Sequence, residues 1–123
     1  MNLVDSSCWL EYFSNGKNAD IYEPVLASLE NLLVPTIILY EVFKKILQQK
    51  DETEALKAIA IMHQGTIVEL SNSIAINAAK ISSEYKLPMA DSIILATARE
   101  YNAVLWTQDE HFEFMEKVKY IKK

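Results

Sequence analysis

Residues 32–49 read Leu-Leu-Val-Pro-Thr-Ile-Ile-Leu-Tyr-Glu-Val-Phe-Lys-Lys-Ile-Leu-Gln-Gln. The leading aliphatics form a short unbroken apolar run, as a buried strand does, and Pro35 closes it. Thr36 can then cap a helix over Ile37 to Gln49, in which Tyr40, Phe43 and Leu47 share a stripe. A buried strand that passes straight into a helix is a unit of a parallel sheet, because parallel neighbours need a crossover long enough for a helix.

The same alternation continues on both sides. Upstream, Met1 to Val4 is a strand ending at Asp5, Ser6-Ser7 can cap a helix carrying Trp9, Leu10 and Phe13, and Asn15-Gly16 marks a turn. Ile21, Val25, Leu26 and Leu29 then recur at helical spacing as far as Asn31. Downstream, Asp51 and Glu54 form a capping box for a helix running through Met62, with Gly65 as its stop. Thr66 to Leu70 reads as a strand, and a helix starting at Ser73 with Ile74, Ala78 and Ile81 on one face must end before Leu87-Pro88. A last long helix spans Met89 to Tyr101, with Asn102 as a left-handed cap. Ala103 to Trp106 and the edge segment Val118 to Ile121 complete the strands. The pattern predicts an α/β fold of three layers, helices on both faces of a parallel sheet, in one domain over residues 1–123.

Composition narrows the function. The 123 residues are 50% hydrophobic, enough for one continuous core. No apolar run is long enough for a bilayer, and Asp5 interrupts the start before a signal-peptide core can form, so the expected location is the cytoplasm. Cys8 is the single cysteine, which excludes an intrachain disulfide and a cysteine-built zinc site. The net charge of −5 argues against binding nucleic acid by overall basicity. Two lysine clusters soften that objection: Lys44, Lys45 and Lys50, and Lys117, Lys119, Lys122 and Lys123. Each can equally be read as a solvated face.

In open parallel sheets the working crevice lies beyond the carboxyl ends of the strands. Asp5 directly follows the first strand and Asp109 lies just past the one ending at Trp106. Glu41 sits in the second turn of the helix after Pro35, among Tyr40, Val42 and Phe43, where a lone carboxylate is costly unless paired or bound to metal. Asp91 opens the Met89 helix beside Ala90 and Ile93-Ile94-Leu95. Read blandly, Asp91 is a first-turn acid favoured by the helix dipole and Glu41 a surface acid. Asp5 is harder to dismiss, having no capping role unless it bonds the Ser7 amide. Carboxylates that converge either share protons or hold hard cations such as Mg²⁺ or Mn²⁺, and such an ion leaves room for phosphate oxygens and an attacking water.

Four segments, Leu3-Val4-Asp5-Ser6-Ser7, Tyr40-Glu41-Val42, Leu87-Pro88-Met89-Ala90-Asp91-Ser92 and Leu105-Trp106-Thr107-Gln108-Asp109 with Phe112, resemble those of PIN-domain ribonucleases of the VapC toxin type. The resemblance spans nearly the whole chain. It implies a parallel sheet of about five strands and metal held by Asp5, Glu41, Asp91 and Asp109, with Asp5 and Asp91 as direct ligands and Glu41 and Asp109 serving a second ion or its waters. It implies that Ser7 and Thr107 steady the acids, that a cognate antitoxin occludes the cleft and that the chain forms a homodimer. On this reading the protein is a divalent-metal-dependent endoribonuclease, and Lys44 or Lys45 helps to seat the RNA backbone. One departure is Cys8, at a position where a small residue is frequent. It reads as a packing substitute, since nothing nearby would lower its pKa. His111 can reach substrate or metal, or is simply an exposed loop residue, and His63 suits a helix C-terminus. Trp9 and Trp106 read as core.

Two rival functions are distinguishable. An aspartyl-phosphate phosphotransfer protein would use Asp5 as nucleophile, but haloacid-dehalogenase-like enzymes want a second acid where Ser7 stands. A PIN-like binding module without catalysis is disfavoured by retention of all four acids.

Overall fold

The computed structural model describes residues 1–123. In chain order the elements are β1 (Asn2–Val4), α1 (Ser6–Phe13), α2 (Ala19–Ala27), β2 (Leu32–Pro35), α3 (Thr36–Gln49), α4 (Glu52–Met62), β3 (Thr66–Val68), α5 (Asn72–Tyr85), α6 (Met89–Glu100), β4 (Val104–Thr107) and β5 (Val118–Tyr120). Short 3-10 turns occupy Leu29–Asn31 and Glu110–Phe112. The five strands form one sheet in the order β3-β2-β1-β4-β5, every pair parallel, so the expected three-layer α/β/α architecture is what the chain adopts. No helix is long and apolar enough to cross a membrane.

The chain starts in the middle of the sheet, steps outward through β2 to β3, then returns to the other side of β1 for β4 and β5. The reversal falls between β1 and β4, where Asn2, Leu3 and Val4 pair with Val104, Leu105 and Trp106. That is where an open α/β sheet leaves a crevice at its carboxyl edge. Leu3, Val4, Leu32, Leu33, Val34 and Leu105 are buried, as the inner strands of a sheet covered on both sides must be.

Two predicted helical stripes are rotated in the structure. On α3 the buried residues are Ile38, Val42 and Ile46, while Tyr40 and Leu47 face outward. On α2 they are Ala19, Tyr22 and Leu26, with Ile21 and Leu29 exposed. Both segments carry apolar residues around most of their circumference, so spacing admits two registers and packing chooses one. The rotation of α3 presents Glu41 beside the sheet's carboxyl edge.

Helix starts also differ from expectation. Asp5, not Ser6 or Ser7, caps α1, its carboxylate accepting from the Ser6 amide at 2.8 Å. Pro35 occupies the N-cap position of α3, with Thr36 already helical. Ser71 caps α5, accepting from the Ile74 amide. Asp51 does accept from the Glu54 amide at 2.8 Å, and Asn102 does adopt the left-handed conformation at φ 51°. Lys86 ends α5 in the same conformation at φ 57°.

Gly65 is not left-handed. A Cβ at this position would meet Val34 Cγ2 at 2.9 Å and the Leu32 carbonyl oxygen at 3.2 Å, so the glycine is required by close approach of the α4–β3 turn to β2. Because a backbone atom is one of the obstacles, Gly65→Ala is expected to destabilise the fold by about 1–3 kcal/mol in urea denaturation, with the denaturant dependence unchanged.

Candidate active site

The four acids come from four different elements and line one open cleft of about 480 Å³ at the carboxyl edge of the sheet, together with Ser6, Ser7, Gln108, Glu110, Tyr120, Lys122 and Lys123. Asp5 follows β1 and Asp109 follows β4, which makes them neighbours across the reversal point. Glu41 projects from α3 and Asp91 from the first turn of α6.

Asp5 is the most enclosed, with 4% of its surface exposed. Its Oδ2 accepts the Thr107 hydroxyl at 2.7 Å and the Ser7 hydroxyl at 3.3 Å, while Oδ1 accepts the Ser6 amide. Thr107 in turn accepts from the Asp109 amide at 3.0 Å, and Ser7 from the Gln108 amide at 3.1 Å. Two small hydroxyls thus bind the end of β1 to the loop after β4. The Gln108 side chain is locked from below: its Oε1 accepts from Asn18 at 2.9 Å and from the buried Tyr22 hydroxyl at 2.8 Å.

Burial raises the pKa of Asp5 from 3.8 to about 6, the Thr107 hydroxyl and Ser6 amide oppose that rise, and the charges of Asp91 and Asp109 add to it. Glu41 is pushed upward by burial and by Asp5, against the pull of the nearby Ser6 hydroxyl. Asp91 is pushed upward by burial, against the pull of His111. The charges of Asp5, Asp91 and Asp109 each make a neighbouring acid among Asp5, Glu41 and Asp91 harder to ionise. Glu41 Oε1 is wholly enclosed and has no hydrogen-bond partner. A buried carboxylate oxygen without a donor is costly, and a cation in the cleft would satisfy it. Asp5, Glu41, Asp91 and Asp109 offer carboxylate oxygens to one cleft, which suits a hard divalent ion, so the residues present fit one.

Other expected positions fall outside the cleft. Lys44 lies over the Tyr40 ring at 5.6 Å, and Lys45 lines a neighbouring groove. The lysines that line the cleft are Lys122 and Lys123, past the end of β5. Sequence marked them as a cluster but not as cleft residues, because the parallel pairing of Thr107 with Tyr120 that carries the C-terminus there cannot be read from pattern. Cys8 is buried and its thiol is pushed up to about 12, so it is no nucleophile. Trp9 stacks on Phe13 in the core, and Trp106, half-buried, donates to Asn2. His63 sits exposed at the C-cap of α4. His111, on the turn after Asp109, is exposed beside the cleft: its Nδ1 lies 3.2 Å from Asp91 Oδ2 and 3.3 Å from Asp109 Oδ1.

A parallel α/β/α layer whose strand ends gather several carboxylates defines a small domain built around an acidic cleft. The PIN domain family model matches residues 3–118, and the chain belongs to that family. Among solved structures, the chain is similar to a toxin–antitoxin complex from Klebsiella pneumoniae, at a TM-score of 0.86 and 23% identity over 100% of both chains. It is similar to the sarcin-ricin loop cleaving toxin VapC20 of Mycobacterium tuberculosis, at 0.79 and 14% over 100% of this chain and 98% of that one. It is similar also to FitAcB from Neisseria gonorrhoeae, at 0.76 and 19% over 99% and 97%. At these identities the likeness is one of fold. No curated protein matches the sequence.

The Asp5 environment sets a pH dependence of the metal-free protein. A carboxyl raised on folding favours the folded state while protonated, so its contribution is complete below about pH 4 and is lost as pH rises through 6. In chelator, wild type is expected to lose on the order of 3 kcal/mol relative to Asp5→Asn between pH 4 and 7. Urea denaturation across that range checks it.

Proposed function

We propose that the chain is a divalent-metal-dependent endoribonuclease, the toxin of a toxin–antitoxin pair, with residues 1–123 acting as one PIN-like domain. The observation that carries the reading is the enclosed, unpartnered Glu41 oxygen in a cleft shared with three further carboxylates. Asp5 and Asp91 would hold Mg²⁺ or Mn²⁺ directly, with Glu41 and Asp109 completing the set or serving a second ion. The ion supplies Lewis-acid stabilisation of phosphate charge and an activated water. Ser7 and Thr107 fix Asp5 by donating to the same oxygen, which keeps its ligating edge turned to the cleft. Lys122 and Lys123 place positive charge at the cleft wall, where an RNA phosphate would lie, and Lys44 and Lys45 extend that charge along α3.

Asp5 Oδ2 accepts two hydroxyls and Oδ1 only the Ser6 amide, so Oδ1 keeps a lone pair for an ion. A groove with Leu10, Phe13, Ile46 and Ile61 on its walls opens beside the cleft and shares Ser7 and Gln108 with it. That adjacency supports a protein partner, the cognate antitoxin, lying against the site and blocking substrate. The Klebsiella pneumoniae neighbour is itself a toxin–antitoxin complex. A homodimer and a cytoplasmic location complete the proposal.

Purified protein is expected to cleave RNA with Mg²⁺ or Mn²⁺, to stop on addition of chelator, and to lose more than roughly 100-fold in rate as Asp91→Asn or Glu41→Gln. Denaturing gels of end-labelled RNA check it. A folded wild type that binds metal but leaves every RNA class intact would favour a binding module instead.

A further inference from the structure

We infer that His111 supplies a nitrogen donor to the ion held at Asp91 and Asp109, and that this donor makes the site prefer transition ions such as Mn²⁺ and Co²⁺ to Mg²⁺. The inference rests on the metal-binding reading above and specifies which ion that site takes.

His111 Nδ1 lies almost equally far from oxygens of two different carboxylates, 3.2 Å from Asp91 Oδ2 and 3.3 Å from Asp109 Oδ1. One N–H has a single direction and serves one acceptor well. A cation seated among the three atoms would satisfy all of them. Ligand bonds of about 2.1 Å at right angles separate adjacent donors by about 3 Å. The two His111 spacings, which in the metal-free protein are those of hydrogen-bonded groups, lie close to that separation. The three residues also form the one group of His, Cys, Asp and Glu side chains in the chain whose donor atoms lie within 4.8 Å of one another.

The ring is placed by the local fold. Asp109 caps the short Glu110–Phe112 turn by accepting the His111 amide at 2.9 Å, and Phe112 is fully buried, which pins the turn to the core. Asp109 is itself held through its amide by Thr107. Nδ1 thus faces the carboxylates while the rest of the side chain, 54% exposed, stays in solvent. Nε2 can carry the ring proton toward water and leave the Nδ1 lone pair free for an ion. In the cleft that Asp91 and Asp109 line, Glu41 Oε1 is enclosed without a hydrogen-bond partner, as a cation there would correct.

An imidazole nitrogen changes what such a site selects. Mg²⁺ favours oxygen ligands and retained water, whereas nitrogen donors strengthen binding to first-row transition ions. With the acids alone the cleft would discriminate little between Mg²⁺ and Mn²⁺. With His111 it should favour Mn²⁺ over Mg²⁺.

The test is calorimetric titration of the full chain with MnCl₂ and with MgCl₂, for wild type, His111→Ala and His111→Gln, combined with pulsed EPR of the Mn²⁺ complexes. Wild type is expected to show the ¹⁴N modulation of a directly bound imidazole, and both variants to lose it. Mn²⁺ affinity should fall at least tenfold in the variants while Mg²⁺ affinity changes less than threefold. Thermal unfolding of the metal-free variants serves as the folding control, since the exposed side chain should be removable without loss of structure. Mn²⁺ binding to wild type without nitrogen modulation, or equal losses for both ions, overturns the role of His111 and leaves the carboxylate site standing. Failure of wild type to bind either ion overturns both readings.

Discussion

Asp5 Oδ2 accepts the Thr107 hydroxyl at 2.7 Å, and this bond joins the ends of the two strands between which the sheet reverses its order. Around it the chain gathers charge that would otherwise disperse. Thr107 passes the constraint to Asp109 through the Asp109 amide, Ser7 passes it to Gln108, and Gln108 is clamped by Asn18 and Tyr22 from α2 and the loop before it. Glu41 and Asp91 are then delivered to the same cleft by α3 and α6. Burial opposes the ionisation of Asp5, Glu41 and Asp91 and is the main cause of their upward shifts, to which the charges of neighbouring carboxylates add. The protein tolerates the arrangement because neighbouring hydroxyls and amides hold it in place, and it gains from it only when positive charge enters.

That positive charge has two sources of different kind. Lys122 and Lys123 stand at the wall of the cleft, while Asp91 and Asp109 in it form a compact set of donors with the exposed His111. An acidic chain that acts on a polyanion must keep its repulsion local, and lysines beyond β5 offset the acids without neutralising their ligating edges. The overall charge of −5 therefore says less about the proposed substrate than the placement of these few residues does.

Much of the architecture is legible in the chain because each strand is a short apolar run that feeds a helix. Leu32-Leu33-Val34 reads only as a buried strand, and Pro88 after Leu87 marks the boundary between α5 and α6. The acids could be paired with strand ends for the same reason. What escaped was rotation and register. Ile37 to Phe43 is apolar nearly all round, so Tyr40 and Val42 compete for the core and only the packing of α3 against α1 and α4 decides. The strand order, which carries Tyr120 and the terminal lysines to the cleft, depends on pairings between distant segments. His111 was visible as a residue near Asp109, but its approach to Asp91 is a contact across 20 positions that no local pattern announces.

These carboxylates are placed to receive a cation and not to share protons with one another. Diffraction from crystals soaked in MnCl₂, with data collected at the manganese absorption edge, addresses it directly. The account predicts an anomalous peak inside the cleft, within bonding distance of at least two of the carboxylates of Asp5, Glu41, Asp91 and Asp109, with Glu41 no longer unpartnered. A well-ordered cleft that shows no peak, with the acids protonated and hydrogen-bonded among themselves, would contradict it.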